Sequence, residues 1–123
     1  MKQQKPSRII LSATTRDVVQ QQEFFALLNL GLVQSLASGV LSPTEAVARF
    51  YHAENCIYVR KHFRQKAANT IISHGVQLPD LFESLSAEEA QREFYHELEI
   101  IRSLCLQLLE KKRSSSGATR VAA

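Results

Sequence analysis

Apolar residues recur along most of the chain at the three- and four-residue spacing of an amphipathic helix. The clearest run lies toward the C-terminus, where the apolar positions advance in steps of four and three: Phe94, Leu98, Ile101, Cys105 and Leu108. No stretch alternates apolar and polar residues long enough to predict a strand, and the most strand-like run is residues 9–11. The pattern predicts an all-α protein, a single helical bundle of three to five helices with short connections.

The first helix start is predicted from the letters TTRD, with Thr14 as N-cap and Asp17 reaching back to the cap amide. This helix is predicted to run to Ser38, where Gly39 supplies a stop. Residues 1–13 precede it as a basic, extended N-terminal segment, whose apolar run predicts a strap over the bundle.

Two later helix starts are nearly identical in sequence. LSPTEAVARFYH at residues 41–52 and LSAEEAQREFYH at residues 85–96 match at seven of twelve positions. In each, the serine predicts an N-cap and the glutamate three residues later, Glu45 or Glu89, completes a capping box, so capping explains much of the likeness. The Phe-Tyr-His triplet that ends each stretch is predicted to place its Phe on the apolar face and its Tyr and His at that face's edge. Whether the two triplets share a pocket is left open.

The middle of the chain allows two interpretations. Residues 43–74 form either one helix or two that divide near residues 54–55. Gly75 is predicted to end this region, and Pro79 is predicted to break the chain before the last helix.

Length and composition fit one domain of ordinary globular type. The chain has 123 residues, of which 45% are hydrophobic and 22% charged, enough to bury one core without disulfides or metals. We assign the helical domain to residues 14–112 and a disordered basic tail to residues 113–123. Cys56 and Cys105 both fall in apolar helical patterns, which favours free thiols and a cytoplasmic location.

A long stretch of the first helix carries no charge. Between Glu23 and Glu45 the chain is largely apolar, but polar residues interrupt it, and the apolar part is short of the ~20 residues that a bilayer requires. We therefore expect no membrane span and no signal peptide. The helix is more hydrophobic than a small bundle easily buries, which predicts a homodimer or a protein partner. The partner-binding residues are predicted to be Phe24, Leu27, Gly31, Ser35 and Gly39.

A basic run within residues 58–66 supports a different function. Its cations suit contacts with phosphates of a nucleic acid or another anionic ligand; they are Arg60, Lys61, Arg64 and Lys66. The favoured interpretation is that these cations pair with the acidic last helix, inside the bundle or across a dimer. The mild net charge of +3 does not by itself indicate a nucleic-acid partner.

The chain carries no recognisable catalytic, cofactor-binding or metal-binding motif. His52 and Cys56 are four residues apart, but a closed structural zinc site requires four ligands. Glu93 with His96 supplies only one of the paired motifs of a di-metal bundle. An enzymatic function remains as an alternative in which His52 and His96 meet in one pocket.

Overall fold

The described part of the chain folds into five α-helices joined by short connections and contains no strand. The computed structural model describes residues 7–12 and 17–116, with side chains as far as residue 110. The helices are α1 (Val18–Ala37), α2 (Pro43–Arg49), α3 (Ala53–Tyr58), α4 (Lys66–Ser84) and α5 (Ala87–Ser116), and a π-helical turn, Val59–Phe63, continues α3. The predicted all-α bundle of three to five helices is confirmed.

Helix α1 begins directly after Asp17, which caps it. The Asp17 carboxylate accepts a hydrogen bond from the amide of Gln20 at 2.8 Å and so satisfies one of the free amides of the first turn. The sequence-based choice of Thr14 as N-cap is wrong, and Thr14 itself lies outside the described residues. At the other end Gly39 has a left-handed conformation, with φ of 82°, and stops the helix as predicted.

Helix α2 starts with the predicted capping box. The Ser42 hydroxyl accepts a hydrogen bond from the Glu45 amide at 3.1 Å, and the Glu45 carboxylate accepts one from the Ser42 amide at 2.9 Å. Pro43 occupies the first helical position, where its missing amide removes no helical hydrogen bond.

Residues 43–74 are divided, but into three helical segments rather than the one or two predicted: α2, then α3 with its π-helical turn, then the first part of α4. One break lies at residues 64–65, and the other lies at residues 50–52 rather than near residues 54–55. Asn55 helps to hold it there, because its side-chain amide donates to the Phe50 carbonyl at 2.8 Å. In a continuous helix that carbonyl would accept from the amide four residues later.

Helix α4 continues through Gly75 and Pro79, so both predicted stops are wrong. Gly75 lies against the ring of Tyr51, and a Cβ at this position would fall 2.5 Å from the ring carbons. Glycine is thus required by close packing and not by a helix end. Pro79 costs about 3 kcal/mol in a helix interior, but α4 continues past it with Leu78 fully buried in the core.

Helix α5 supplies the longest face of the core. Ser86 caps it as predicted, accepting from the Glu89 amide at 3.3 Å. The five predicted apolar positions are all buried: Phe94, Leu98, Ile101, Cys105 and Leu108. The helix reaches Ser116, past the predicted boundary at residue 112, and residues 117–123 of the predicted tail lie outside the described part.

The core lies where α1 and α4 pack along α5. An aromatic cluster closes one side of it, with ring centroids 6.0 Å apart between Phe25 and Phe50 and 5.4 Å apart between Phe25 and Phe63. This cluster joins α1 to the break after α2 and to the π-helical turn.

Residues 7–12 lie as a strap across the junction of α2 and α3. The Ile9 amide donates to the Arg49 carbonyl at 2.8 Å. Asn55 holds both sides of the strap, accepting from the Leu11 amide at 2.9 Å and donating to the Ile9 carbonyl at 2.8 Å. Ile9 and Leu11 also pack against the core, so this short segment is part of the fold.

Candidate interaction surfaces

Four large apolar side chains of α1 are exposed to solvent: Val18 and Val19 in its first turn, and Phe24 and Leu27 farther along the helix. Phe24 is 50% exposed and Leu27 is 54% exposed. Gly31 follows one turn later on the same side of the helix, and a Cβ built on it meets no atom within 4 Å. We call Phe24, Leu27 and Gly31 the outer face of α1. Three of the five predicted partner-binding residues therefore share one open helix face.

The other two predicted partner-binding residues lie elsewhere. Ser35 is half-buried at the edge of the outer face. Gly39 lies beyond the end of α1, in the turn whose amides bond back to the last helical carbonyls. The regular spacing of Gly31, Ser35 and Gly39 in the sequence therefore does not form a groove along the whole helix.

Asn29 determines which side of α1 faces outward. It is fully buried. Its side-chain carbonyl accepts a hydrogen bond from the Tyr51 hydroxyl at 2.7 Å, and its side-chain amide donates one to the Phe25 backbone carbonyl at 2.9 Å. Burial raises the pKa of Tyr51 well above its ordinary value, which keeps the hydroxyl protonated as a donor. A buried amide without these partners would cost several kcal/mol. Leu27 and Gly31 each lie two residues from Asn29, which is a rotation of about 200° around the helix axis. They must therefore face outward.

The four predicted anion-binding residues lie on the π-helical turn and just after it. All four are exposed, and we call them the basic turn: Arg60, Lys61, Arg64 and Lys66. Arg64 has a left-handed backbone, with φ of 53°, and separates the turn from α4. From inside the bundle, the Gln22 side chain donates to the Phe63 carbonyl at 3.1 Å and anchors the turn. π-Helical turns occur frequently at functional sites.

Within the described residues the basic turn takes part in no ion pair. The ion pairs and the histidine contact found there are Arg8–Glu54, Arg102–Glu99 and His74–Glu97. Pairing of the basic turn with the acidic helix inside the bundle is therefore not found in this part of the chain. Pairing across a dimer stays a prediction.

The two Phe-Tyr-His triplets have different surroundings. Phe50 and Phe94 are both buried, as predicted. Tyr51, however, is fully buried, whereas Tyr95 is 46% exposed. The prediction that both tyrosines lie at the edge of an apolar face is wrong for Tyr51, because α2 ends two residues earlier and the chain turns this ring inward.

The two histidines also have different partners. His52 Nε2 lies 3.0 Å from the Ile9 carbonyl oxygen, and its Nδ1 lies 3.2 Å from a guanidinium nitrogen of Arg8. His96 is exposed on α5 and has no hydrogen bond or ion pair among the described residues. This arrangement gives no support to an enzymatic site that uses both histidines.

The candidate metal ligands and the two cysteine thiols find little support as functional groups in the described residues. No three His, Cys, Asp or Glu side chains in residues 7–12 and 17–110 are grouped so that they could hold a metal ion. Cys56 and Cys105 are free thiols. Burial raises the pKa of Cys105 to about 12 and also raises the pKa of Cys56, and a protonated thiol is a poor nucleophile.

No helix in the described ranges is long and apolar enough to span a bilayer. The uncharged stretch of α1 is instead divided between a core-facing side and the outer face.

Sequence reasoning missed the buried amides of Asn29 and Asn55. Both are fully buried, but Asn29 was interpreted only as a polar interruption of an apolar run. Its position four residues after Phe25 and three before Leu32 places it on the core side of the helix. That spacing was a usable signal. Asn55 gave no such signal, because its partners come from the strap.

A family model matches residues 16–121 and is described as "Protein of unknown function (DUF3969)". No curated protein and no solved structure matches the chain. The matched range includes all five helices and both candidate surfaces. The chain therefore belongs to the DUF3969 family, a family of proteins of unknown function.

Proposed function

We propose that the protein acts through association and forms a homodimer by the outer face of α1. The observation that carries this proposal is the exposure of Phe24 and Leu27, each about half accessible, on a helix without charge between Glu23 and Glu45. Full burial of such a side chain is worth about 1.5–3 kcal/mol. Covering the exposed half of each therefore gains roughly 1 kcal/mol per side chain.

A second copy of the chain fits this face well. Two such faces can meet without juxtaposed like charges, which would otherwise cost several kcal/mol. The open space above Gly31 leaves room for a side chain of the other copy. In a two-fold dimer the same patch serves both sides, so each favourable contact is made twice.

Sedimentation of the purified protein tests the dimer. We expect the wild type to be about half dimeric at about 50 μM, which corresponds to an association free energy near −6 kcal/mol. Leu27→Asp should raise the dissociation constant at least about 100-fold, because an unpaired carboxylate would be buried in the interface.

Leu106→Asp is the matched control. Leu106 is 40% exposed on α5 and is not part of the outer face, and this variant should dimerise like the wild type. Circular dichroism of both variants checks that each remains helical. A wild type that stays monomeric at this concentration would contradict the proposal.

In this proposal the protein is a cytoplasmic interaction module with no catalytic role. The protonated state of both cysteines and the separate surroundings of His52 and His96 support it. Free thiols fit a reducing compartment. Native mass spectrometry with a metal assay on the same sample measures the mass of the assembly and any bound ion together.

Binding of an anionic polymer is a second candidate function. Its supporting observation is that the basic turn is exposed and, within the described residues, unpaired with any carboxylate. Cations that contact phosphates release counterions, so binding weakens steeply as salt increases. Replacing all four residues of the basic turn with Ala should reduce the salt slope on duplex DNA by up to about four.

The control for this experiment removes two cations from another surface. Arg92 and Arg102 are exposed on α5, and the double Ala variant should keep the slope of the wild type. If the wild type binds neither DNA nor RNA at low salt, this candidate is eliminated.

A further inference from the structure

The solvent side of α1 follows a regular pattern of its own. Six of its exposed positions advance in alternate steps of four and three, which is the spacing of a coiled-coil seam. The six positions are Gln20, Phe24, Leu27, Gly31, Gln34 and Ser38, and all six are exposed. A helix whose opposite side already lies in the core therefore carries a second line of exposed positions at this spacing. At one edge of it, Phe24 also lines a small cavity with Ile10 and Leu11 of the strap.

The size of the side chains decreases along the seam from its N-terminal to its C-terminal half. Its N-terminal half contains the large apolar residues Phe24 and Leu27, and its C-terminal half contains Gly31 and small or polar residues. The positions are also symmetric about residue 29, since positions 27 and 31 are equally far from it, as are 24 and 34, and 20 and 38.

We propose that two copies pair α1 against α1 in antiparallel orientation, with the two-fold axis at the level of residue 29. This inference rests on the proposed homodimer and specifies its register. Leu27 of each copy then fills the space above Gly31 of the other, where a Cβ meets no atom within 4 Å. Phe24 of each copy lies over Gln34 of the other, and the polar Gln20 and Ser38 close the two ends.

The parallel arrangement packs poorly by comparison. It sets Phe24 against Phe24 and Gly31 against Gly31, which crowds one end of the seam and leaves a void at the other. Both overpacking and cavities are destabilising. Antiparallel pairing also brings each helix N-terminus beside a C-terminus, an arrangement that the helix dipoles favour.

The length of the seam indicates a weak dimer. The 19 residues from Gln20 to Ser38 are separated by 18 helical rises and so extend about 27 Å along the helix. One helix pair of this length forms an interface at the low end of the size range for specific complexes. The fraction of dimer should therefore depend on protein concentration, with a dissociation constant in the micromolar range.

Disulfide cross-linking of two single variants tests the register. In the antiparallel dimer a cysteine at position 27 faces position 31 of the other copy. Two cysteines at position 27 are instead offset by about 6 Å along the axis and, with helix axes 8–10 Å apart, lie beyond the roughly 7 Å limit for a disulfide. Leu27→Cys and Gly31→Cys should each remain uncross-linked under mild oxidation, and an equimolar mixture should give a covalent heterodimer.

The mixed dimer retains one native contact between Leu27 and Gly31, so neither substitution removes both halves of the interface. A wild-type sample oxidised in parallel is the control for the native thiols Cys56 and Cys105. Cross-linking of Leu27→Cys alone would show parallel pairing and overturn the inference. A wild type that sediments as a dimer while the mixture stays uncross-linked also overturns it, but leaves the proposed homodimer standing. A monomeric wild type removes both.

Discussion

Tyr51 connects three parts of the fold through one side chain. Its hydroxyl bonds to Asn29 of α1 at 2.7 Å, its ring lies on Gly75 of α4, and its backbone lies in the break after α2. The ring also meets Phe50 edge-on at 5.2 Å. Because the ring is held at both its face and its hydroxyl, it cannot move aside without losing a buried hydrogen bond.

The two helical glycines should therefore respond oppositely to alanine. Gly75→Ala places a methyl group 2.5 Å from the Tyr51 ring, and we expect it to lower the free energy of unfolding by about 1–3 kcal/mol, as overpacking does. Gly31→Ala meets open space and should raise it by about 0.5–1 kcal/mol through helix propensity. Urea denaturation at low protein concentration, where dimers are dissociated, measures both. A stabilising Gly75→Ala would show that the ring is free to shift.

At the scale of elements, the two capping boxes were predictable from sequence, whereas the course of α4 through Gly75 and Pro79 was not. The caps at Ser42 and Ser86 depend on residues three positions away, so the letters contain both partners. Gly75 was assigned to a helix end because its reason, the Tyr51 ring, lies 24 residues away in sequence. Pro79 was predicted to break the chain because only the local cost of a proline inside a helix was considered, and not the stabilisation gained by burying the rest of α4.

The candidate surfaces show the same limit. The sequence predicted the apolar outer face of α1 and the cations of the basic turn, since both are patterns of composition over a short stretch of the chain. The sequence did not predict that Ser35 lies half-buried at the edge of the outer face. It also did not predict the lack of an ion pair for the basic turn within the described residues, because both depend on how the chain is arranged in three dimensions.

The capping box of α2 should depend on pH. The backbone hydrogen bond from Ser42, followed by that from its side chain, holds the pKa of Glu45 below its usual value. A carboxylate whose pKa is lowered in the folded state stabilises it above the unfolded pKa, and this stabilisation is lost as pH falls through the folded pKa. We expect wild type to exceed Glu45→Gln in thermal stability at pH 6 and the difference to shrink as pH falls below the ordinary range of a glutamate pKa. A difference of constant size across this range would contradict the role of the charge.

The strap should be released when Asn55 is shortened. Asn55→Ala removes the hydrogen bonds to Ile9, Leu11 and the Phe50 carbonyl, and leaving buried polar groups unpaired costs about 1–3 kcal/mol each. We expect the Leu11 amide to lose its protection from hydrogen exchange and the protein to be destabilised by several kcal/mol. Asn69→Ala is the control, since Asn69 bonds only within its own helix end, to the Gln65 carbonyl. Continued protection at Leu11 would show that the apolar contacts of the strap are sufficient.

At the scale of the whole molecule, the two sides of α1 separate folding from association. The inner side, with Phe25 and Asn29, is buried within one copy, whereas the outer face is exposed until a second copy covers it. The monomer should therefore fold by itself, and dimerisation should add stability that depends on concentration.

Thermal unfolding across protein concentrations tests this separation. For a dimer of this size, each tenfold increase in concentration above the dissociation constant should raise Tm by about 3 °C, because association acts on folding by mass action. Leu27→Asp should melt at one temperature at all concentrations, equal to that of wild type at high dilution, since position 27 contributes little to the monomer core. Leu106→Asp should keep the concentration dependence of the wild type. If Leu27→Asp instead melts well below dilute wild type, the outer face of α1 is needed for folding itself, and the two sides of the helix are not separable.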